Sequence, residues 1–231
     1  MKAPLFLLST LCLAQLSAQA QVTVVPASPA TPSVVVVQPS VLVQPSIVVR
    51  TLDSAVVQRQ LSLVPKVVVT TAPQTAVKTT KTTTVVDTPG QPRRVYNSER
   101  SVVLVEDQGQ SRELPYVTLP VLFVKETAEL FDDESRNALQ QVAGVILAIH
   151  KTESGILFDI EGHTSTDGTG EFNVTLSAAR AQRVYDELTQ RYGVPANVLS
   201  AHGYGENFPM YPQGNEAEMQ QDRRVLVVRT K

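Results

Sequence analysis

The chain has 231 residues, with 15 Pro, 11 Gly, one Cys and no Trp, a length that allows one or two ordinary domains. A hydrophobic content of 42% with 18% charged residues argues against wholesale disorder. The formal charge of −2 hides an asymmetry: residues 1–115 hold ten Lys/Arg and six Asp/Glu, a balance of +4, whereas residues 116–231 hold ten and sixteen, a balance of −6. An acidic second half speaks against nonspecific nucleic-acid binding, so no nucleic-acid partner is expected.

Met1–Ala20 has the three parts of a secretory signal. Lys2 supplies the positive start, Pro4–Leu16 is mostly apolar, and Ala18-Gln19-Ala20 is a small-x-small cleavage site. The apolar run falls short of the roughly 20 residues that span a bilayer. Cys12 lies inside this segment and follows Leu11 rather than a small residue, which argues against lipidation. Cleavage after Ala20 leaves a mature chain without Cys, hence without disulfides or thiol chemistry. No later stretch reads as a membrane helix, and the residues before 110 are too few for eight barrel strands.

Residues 21–95 are dominated by Val, Thr, Pro, Gln and Ser, and no aromatic occurs between Phe6 and Tyr96. Nine of the 15 Pro lie between Pro26 and Pro92. A six-residue repeat, VVVQPS at Val35–Ser40 and VLVQPS at Val41–Ser46, runs for fewer than three copies, too few to bury a solenoid core. Pro at that spacing blocks ladder hydrogen bonds and favours open extension. The segment reads as an extended or disordered tether. A spacer that pairs with an outer-membrane protein or a lipid surface is the alternative.

Order is expected from about Tyr96, with the core at 116–231. Ser101–Val105 and Tyr116–Val124 read as strands of a hairpin around Gly109. Acidic residues at 132–134 open a helix, and Leu139, Val142, Val145, Ile146 and Ile149 fall on one of its faces. A strand from Gly155 alternates Ile156, Phe158 and Ile160 with Leu157, Asp159 and Glu161, predicting one apolar and one charged face. A Gly-rich loop leads to a second helix marked by Leu176, Ala179, Val184 and Leu188, ending near Gly193-Val194-Pro195. Leu199–Tyr204 and Val225–Thr230 read as two more strands. The order predicts an α/β fold, a β-α-β-α-β-β sandwich with two main helices packed on one mixed sheet.

The stretch EGHTSTDGTGEFNVTLSAARA at Glu161–Ala181, then Gly193-Val194-Pro195, Gly203-Tyr204-Gly205-Glu206 with Pro209, and Asp222-Arg223-Arg224-Val225 resembles the OmpA-like C-terminal, peptidoglycan-binding domain over residues 110–231. What the resemblance implies is noncovalent capture of the diaminopimelate stem peptide of peptidoglycan, which presents a carboxylate and an ammonium on one carbon. Arg180 matches the motif arginine and would take the carboxylate through its planar fork. Asn173 matches the motif asparagine, beside a plain N-cap reading, and Thr164 belongs to the same binding set. The family places Asp after Gly-His-Thr to meet the ammonium, and this chain has Ser165 there. Asp167 either reaches the same group or is a solvated loop residue. Arg224 is open to two roles, contact with peptidoglycan or pairing with the acidic strand edge.

His150, His163 and His202 make no metal-ligand spacing, and His163 is expected to order the motif loop by hydrogen bonding. Asp159 and Glu161 share a strand face without a nucleophile beside them. No catalysis, cofactor or metal is expected. The resulting expectation is an exported protein of the periplasm or outer membrane that binds peptidoglycan, with peptidoglycan as partner. The alternative is a domain of the same fold that has lost diaminopimelate binding through Ser165 and serves as a protein-interaction scaffold.

Overall fold

The computed structural model describes residues 51–68, 92–107 and 109–231. The elements in chain order are α1 (Ser54–Leu61), β1 (Lys66–Val68), β2 (Arg93–Asn97), β3 (Val102–Asp107), β4 (Gln110–Leu119), α2 (Asp133–Thr152), β5 (Phe158–Gly162), α3 (Gly170–Asp186), β6 (Leu199–Gly203), α4 (Glu216–Asp222) and β7 (Val225–Arg229). A π-turn at Glu187–Arg191 prolongs α3, and a 3₁₀ turn at Ala196–Val198 leads into β6.

The sheet runs β2-β3-β4-β7-β5-β6, with β1 pairing β4. Only β5 and β6 pair in parallel; the other pairs are antiparallel. The long strand β4 changes partner along its length. Gln110–Pro115 pair with β3, and Tyr116–Leu119 pair with β7. Pro115 lacks an N–H and stands where the first ladder ends, so no ladder bond is lost.

Side-chain alternation splits the core into two layers. Val225 and Val227 of β7 join Phe158 and Ile160, the inner faces of α2 and α3, and Val57 and Leu61 of α1. Leu226 and Val228 pack instead with Tyr96, Val103, Val105, Leu114, Tyr116 and Phe208 on the opposite side. Helix α2 forms where expected. Asp132 caps it by accepting from the Ser135 N–H, and Leu139, Val142, Ile146 and Ile149 are buried.

Four expectations are corrected. The tether reading of residues 21–95 fails over its described part, because residues 51–68 and 92–95 belong to the folded unit. Asp53 accepts from the Ala55 and Val56 N–H groups and so starts a helix. Val57 and Leu61, four residues apart, fall on one face of it and enter the core beside α2. Lys66–Val68 then pair with Glu113–Ser111. The rest of the tether reading, 21–50 and 69–91, and the signal at 1–20, lie outside the described residues.

The second hairpin strand starts at Gln110 and ends at Leu119, and Leu122–Val124 keep only a single bridge, Phe123 to Leu130. Gly155 (φ 70°) is a turn residue, and the strand expected from it begins at Phe158. Asp159 and Glu161 do not form an exposed charged face, since every residue of β5 is buried.

Candidate ligand-binding cleft

The register places the cleft. Gly162, at the end of β5, stands opposite Gly203, at the end of β6, and opposite Val225, at the start of β7. The segments that leave β5 and enter β7 therefore meet at one end of the sheet. Both glycines face α3 so closely that a Cβ on Gly162 would overlap the Ser177 carbonyl, and one on Gly203 would overlap the Ala178 backbone. Only glycine lets α3 descend to the strand ends.

A cleft of about 760 Å³ opens there. It lies between the residue 121–126 connection, the loop from Thr164 to Gly168, helix α3, and α4 with Arg223. Thr169 caps α3 by accepting from the Phe172 N–H. The N-cap role open to Asn173 thus falls to Thr169. Asn173 sits one turn on and braces the loop, its amide donating to the Asp167 carbonyl (2.8 Å), the Ser165 carbonyl (3.4 Å) and Glu206 Oε2 (2.5 Å). Gly168 takes φ 92° at the loop's tightest point. Thr164 is tied by its N–H to the Gly205 carbonyl (2.9 Å), while its buried Oγ1 has no hydrogen-bond partner in the structure.

Arg180 lies on the cleft wall at 8% exposure. Its Nε donates to the Thr127 carbonyl (2.9 Å), and its guanidinium carbon stands 5.0 Å from the Phe123 ring centroid. The Thr127 carbonyl belongs to a turn through Glu126, which adopts φ 61°, closed by the Thr127 N–H donating to Val124 O. No carboxylate of the described residues pairs with Arg180. Burial, and after it the nearby Arg223 charge, lower the guanidinium's pKa. A buried cation without a counter-ion on a cleft wall is an anion-binding element.

Ser165 and Asp167 stand beside it, joined to each other (3.3 Å) and to an arginine that sequence reading missed. Arg223 donates from Nε to Ser165 Oγ (3.2 Å) and from Nη2 to Asp167 Oδ2 (3.0 Å) and Glu216 Oε2 (3.3 Å). Its Nη1 reaches Glu216 Oε1 (2.5 Å) and Gln220 Oε1 (3.0 Å). Arg224, the expected site residue of the pair, points the other way. It donates to the carbonyls of Phe208 (3.0 Å) and Asp222 (3.4 Å) and covers the Tyr96 ring at 5.5 Å. The signal was strand parity: Arg224 shares its side with Leu226 and Val228, the hairpin layer, and Arg223 with Val225 and Val227, the helix layer.

Behind the loop lies a buried ionic cluster. Glu161 has no exposed surface and accepts from the Tyr96 hydroxyl (2.7 Å) and from Arg94. Burial pushes the Glu161 carboxyl up, but the Arg94 charge and the Tyr96 hydroxyl outweigh it and leave it below the usual value. The Arg94 guanidinium also stacks over Tyr204, the neighbour of Gly205. His163 orders the loop by packing rather than by ring hydrogen bonds. Its ring stacks on Tyr204 and meets Tyr96 edge-on, and Nε2 is 3.8 Å from Glu161, too far for a hydrogen bond. On β5 and β6, Ser200 Oγ and His202 Nδ1 both engage the same oxygen of Asp159 (2.7 and 2.6 Å). That arrangement does not set the imidazole to take the serine proton. Among the described residues no three His, Cys, Asp or Glu gather as a metal site, and no helix is long and apolar enough to cross a membrane.

Fold and cleft together define a mixed α/β domain, with an uncompensated arginine on the second long helix lining the same cleft as the Thr164–Gly168 loop. Residues 122–223, somewhat less than half of the chain, match the OmpA family. Outer membrane porin F of Pseudomonas aeruginosa is 39% identical over 66 residues, which is 29% of this chain and 19% of that protein. The peptidoglycan-associated lipoprotein of Rhizobium meliloti is 38% identical over 69 residues, 30% of this chain and 39% of that one. The chain thus matches less than half the length of either relative. The crystal structure of the peptidoglycan-associated lipoprotein from Burkholderia pseudomallei is 28% identical, covering 48% of this chain and 88% of that one with a TM-score of 0.42.

Proposed function

We propose that the cleft binds peptidoglycan noncovalently, that Arg180 grips a stem-peptide carboxylate, and that the chain is exported and tethers the envelope or a partner to the wall. The observation that carries this reading is Arg180: a buried guanidinium, already oriented by Thr127 and Phe123, that lacks an anion. A ligand carboxylate entering the cleft would supply that missing anion. The motif residues, the OmpA-family match and the peptidoglycan-associated relative point to the same ligand class. No step of this function needs a nucleophile, a metal or a cofactor.

The test is co-sedimentation of the chain with isolated peptidoglycan sacculi, beside Arg180→Gln. Losing a charge-assisted pair worth about 1.5–3 kcal/mol lowers affinity roughly 10- to 150-fold. The substitution also removes the Thr127 bond and the stacking on Phe123, so stability drops by about 1–2 kcal/mol, and binding is read well below the melting temperature. Undiminished sedimentation of Arg180→Gln removes this residue from the site. The scaffold reading keeps one observation in its favour, that Ser165 and Asp167 are already occupied by Arg223.

A further inference from the structure

The two arginines of the cleft are in opposite electrostatic states. Arg180 has no acid, whereas Arg223 is saturated: Nε, Nη1 and Nη2 are all engaged, on Ser165, Asp167, Glu216 and Gln220. Those partners include the two carboxylates beside the motif loop that would meet a ligand cation. An incoming ammonium would have to displace a planar, multiply bonded guanidinium from Asp167 and Ser165, exchanging one cation for another with no net gain of charge attraction. The nitrogen bound to Ser165 Oγ is moreover an Arg223 nitrogen, at the position where the resemblance would put the acid that meets the ammonium.

Resting on the wall-binding reading, we infer that the chain supplies its own cation: Arg223 fills the ammonium position, so the cleft selects a carboxylate and is indifferent to an adjacent amine. The ligand class is a carboxylate beside a neutral or a charged substituent, a broader class than a zwitterion. Anion recognition rests on Arg180, and Asp167 acts as the anchor of Arg223 rather than as a ligand contact.

The experiment compares meso-diaminopimelate with pimelate, the same seven-carbon dicarboxylate without amines, as competitors for the chain bound to sacculi. The wild-type chain is displaced by the two with midpoints within about threefold of each other. Arg223→Gln frees Asp167 and makes diaminopimelate the better competitor by about tenfold or more. Asp167→Asn, in which Glu216 still holds Arg223, leaves both midpoints within about twofold of wild type. A wild-type chain that prefers diaminopimelate tenfold, with the preference lost in Asp167→Asn, overturns the inference alone. A wild-type chain that does not sediment with sacculi overturns the wall-binding reading and this inference with it.

Discussion

His163 shows how one buried ring couples the motif loop to pH. It lies between Tyr96 and Tyr204, with Glu161, Arg94 and Arg224 as the charges facing it. Burial, and after it the Arg224 charge, hold its pKa down to about 4 from 6.5. The folded chain therefore refuses a proton that the unfolded chain accepts. At neutral pH both states hold a neutral ring and the group contributes nothing. As pH falls through 6.5 the unfolded state is favoured, and the loss levels off near pH 4. The 2.5-unit difference amounts to about 3 kcal/mol. Urea unfolding at pH 7 and pH 4 reads this loss, and His163→Phe, a neutral ring of similar shape, removes that share of it. An equal pH dependence in His163→Phe would falsify the assignment.

At the scale of elements, the β2–β3 hairpin does more than extend the sheet. Its Arg94 and Tyr96 are the partners of Glu161, which precedes Gly162 and the cleft loop. Arg94→Ala leaves a buried carboxylate with only the Tyr96 hydroxyl and a distant imidazole, and removing one member of a buried pair costs about 3–5 kcal/mol. Replacing both, as Arg94→Met with Glu161→Gln, removes the uncompensated charge and restores much of that stability. A double variant no more stable than Arg94→Ala in urea counts against the pair as the cause. This pairing left no mark in the sequence, because the partners are 67 residues apart and an alternating strand reads the same whether its charged face is solvated or ion-paired. The two long helices and the chain order of the strands around them were legible because their apolar periods are local, whereas α1, β1 and α4 were not. Thr164, Ser165, Asp167, Asn173 and Arg180 came from the motif resemblance, and all five line the cleft from one loop and the helix after it. Arg223, and the Val124–Thr127 turn that aims Arg180, reach the cleft from distant parts of the chain, and only folding brings them there.

For the whole molecule the question is where the folding unit begins. A fragment starting at Tyr96, the boundary the composition suggests, omits α1, β1 and most of β2. It exposes the core surface covered by Val57 and Leu61, and burying each such side chain contributes about 1.5–3 kcal/mol. It strips Arg94 from Glu161, at about 3–5 kcal/mol. It also removes the Leu61 carbonyl, which accepts from Arg229 Nη1 at 3.1 Å inside the core. These losses are comparable with the whole stability of an ordinary domain, about 5–15 kcal/mol. Residues 47–231, by contrast, hold every described element in one compact unit. Thermal melting followed by circular dichroism should show a cooperative transition for 47–231. The 96–231 fragment should melt without cooperativity, or at least 15 °C lower on the basis that each kcal/mol moves a domain of this size by roughly 2–4 °C. A cooperative melt of 96–231 within a few degrees of 47–231 would mean that α1, β1 and Arg94 decorate the rest of the fold without supporting it.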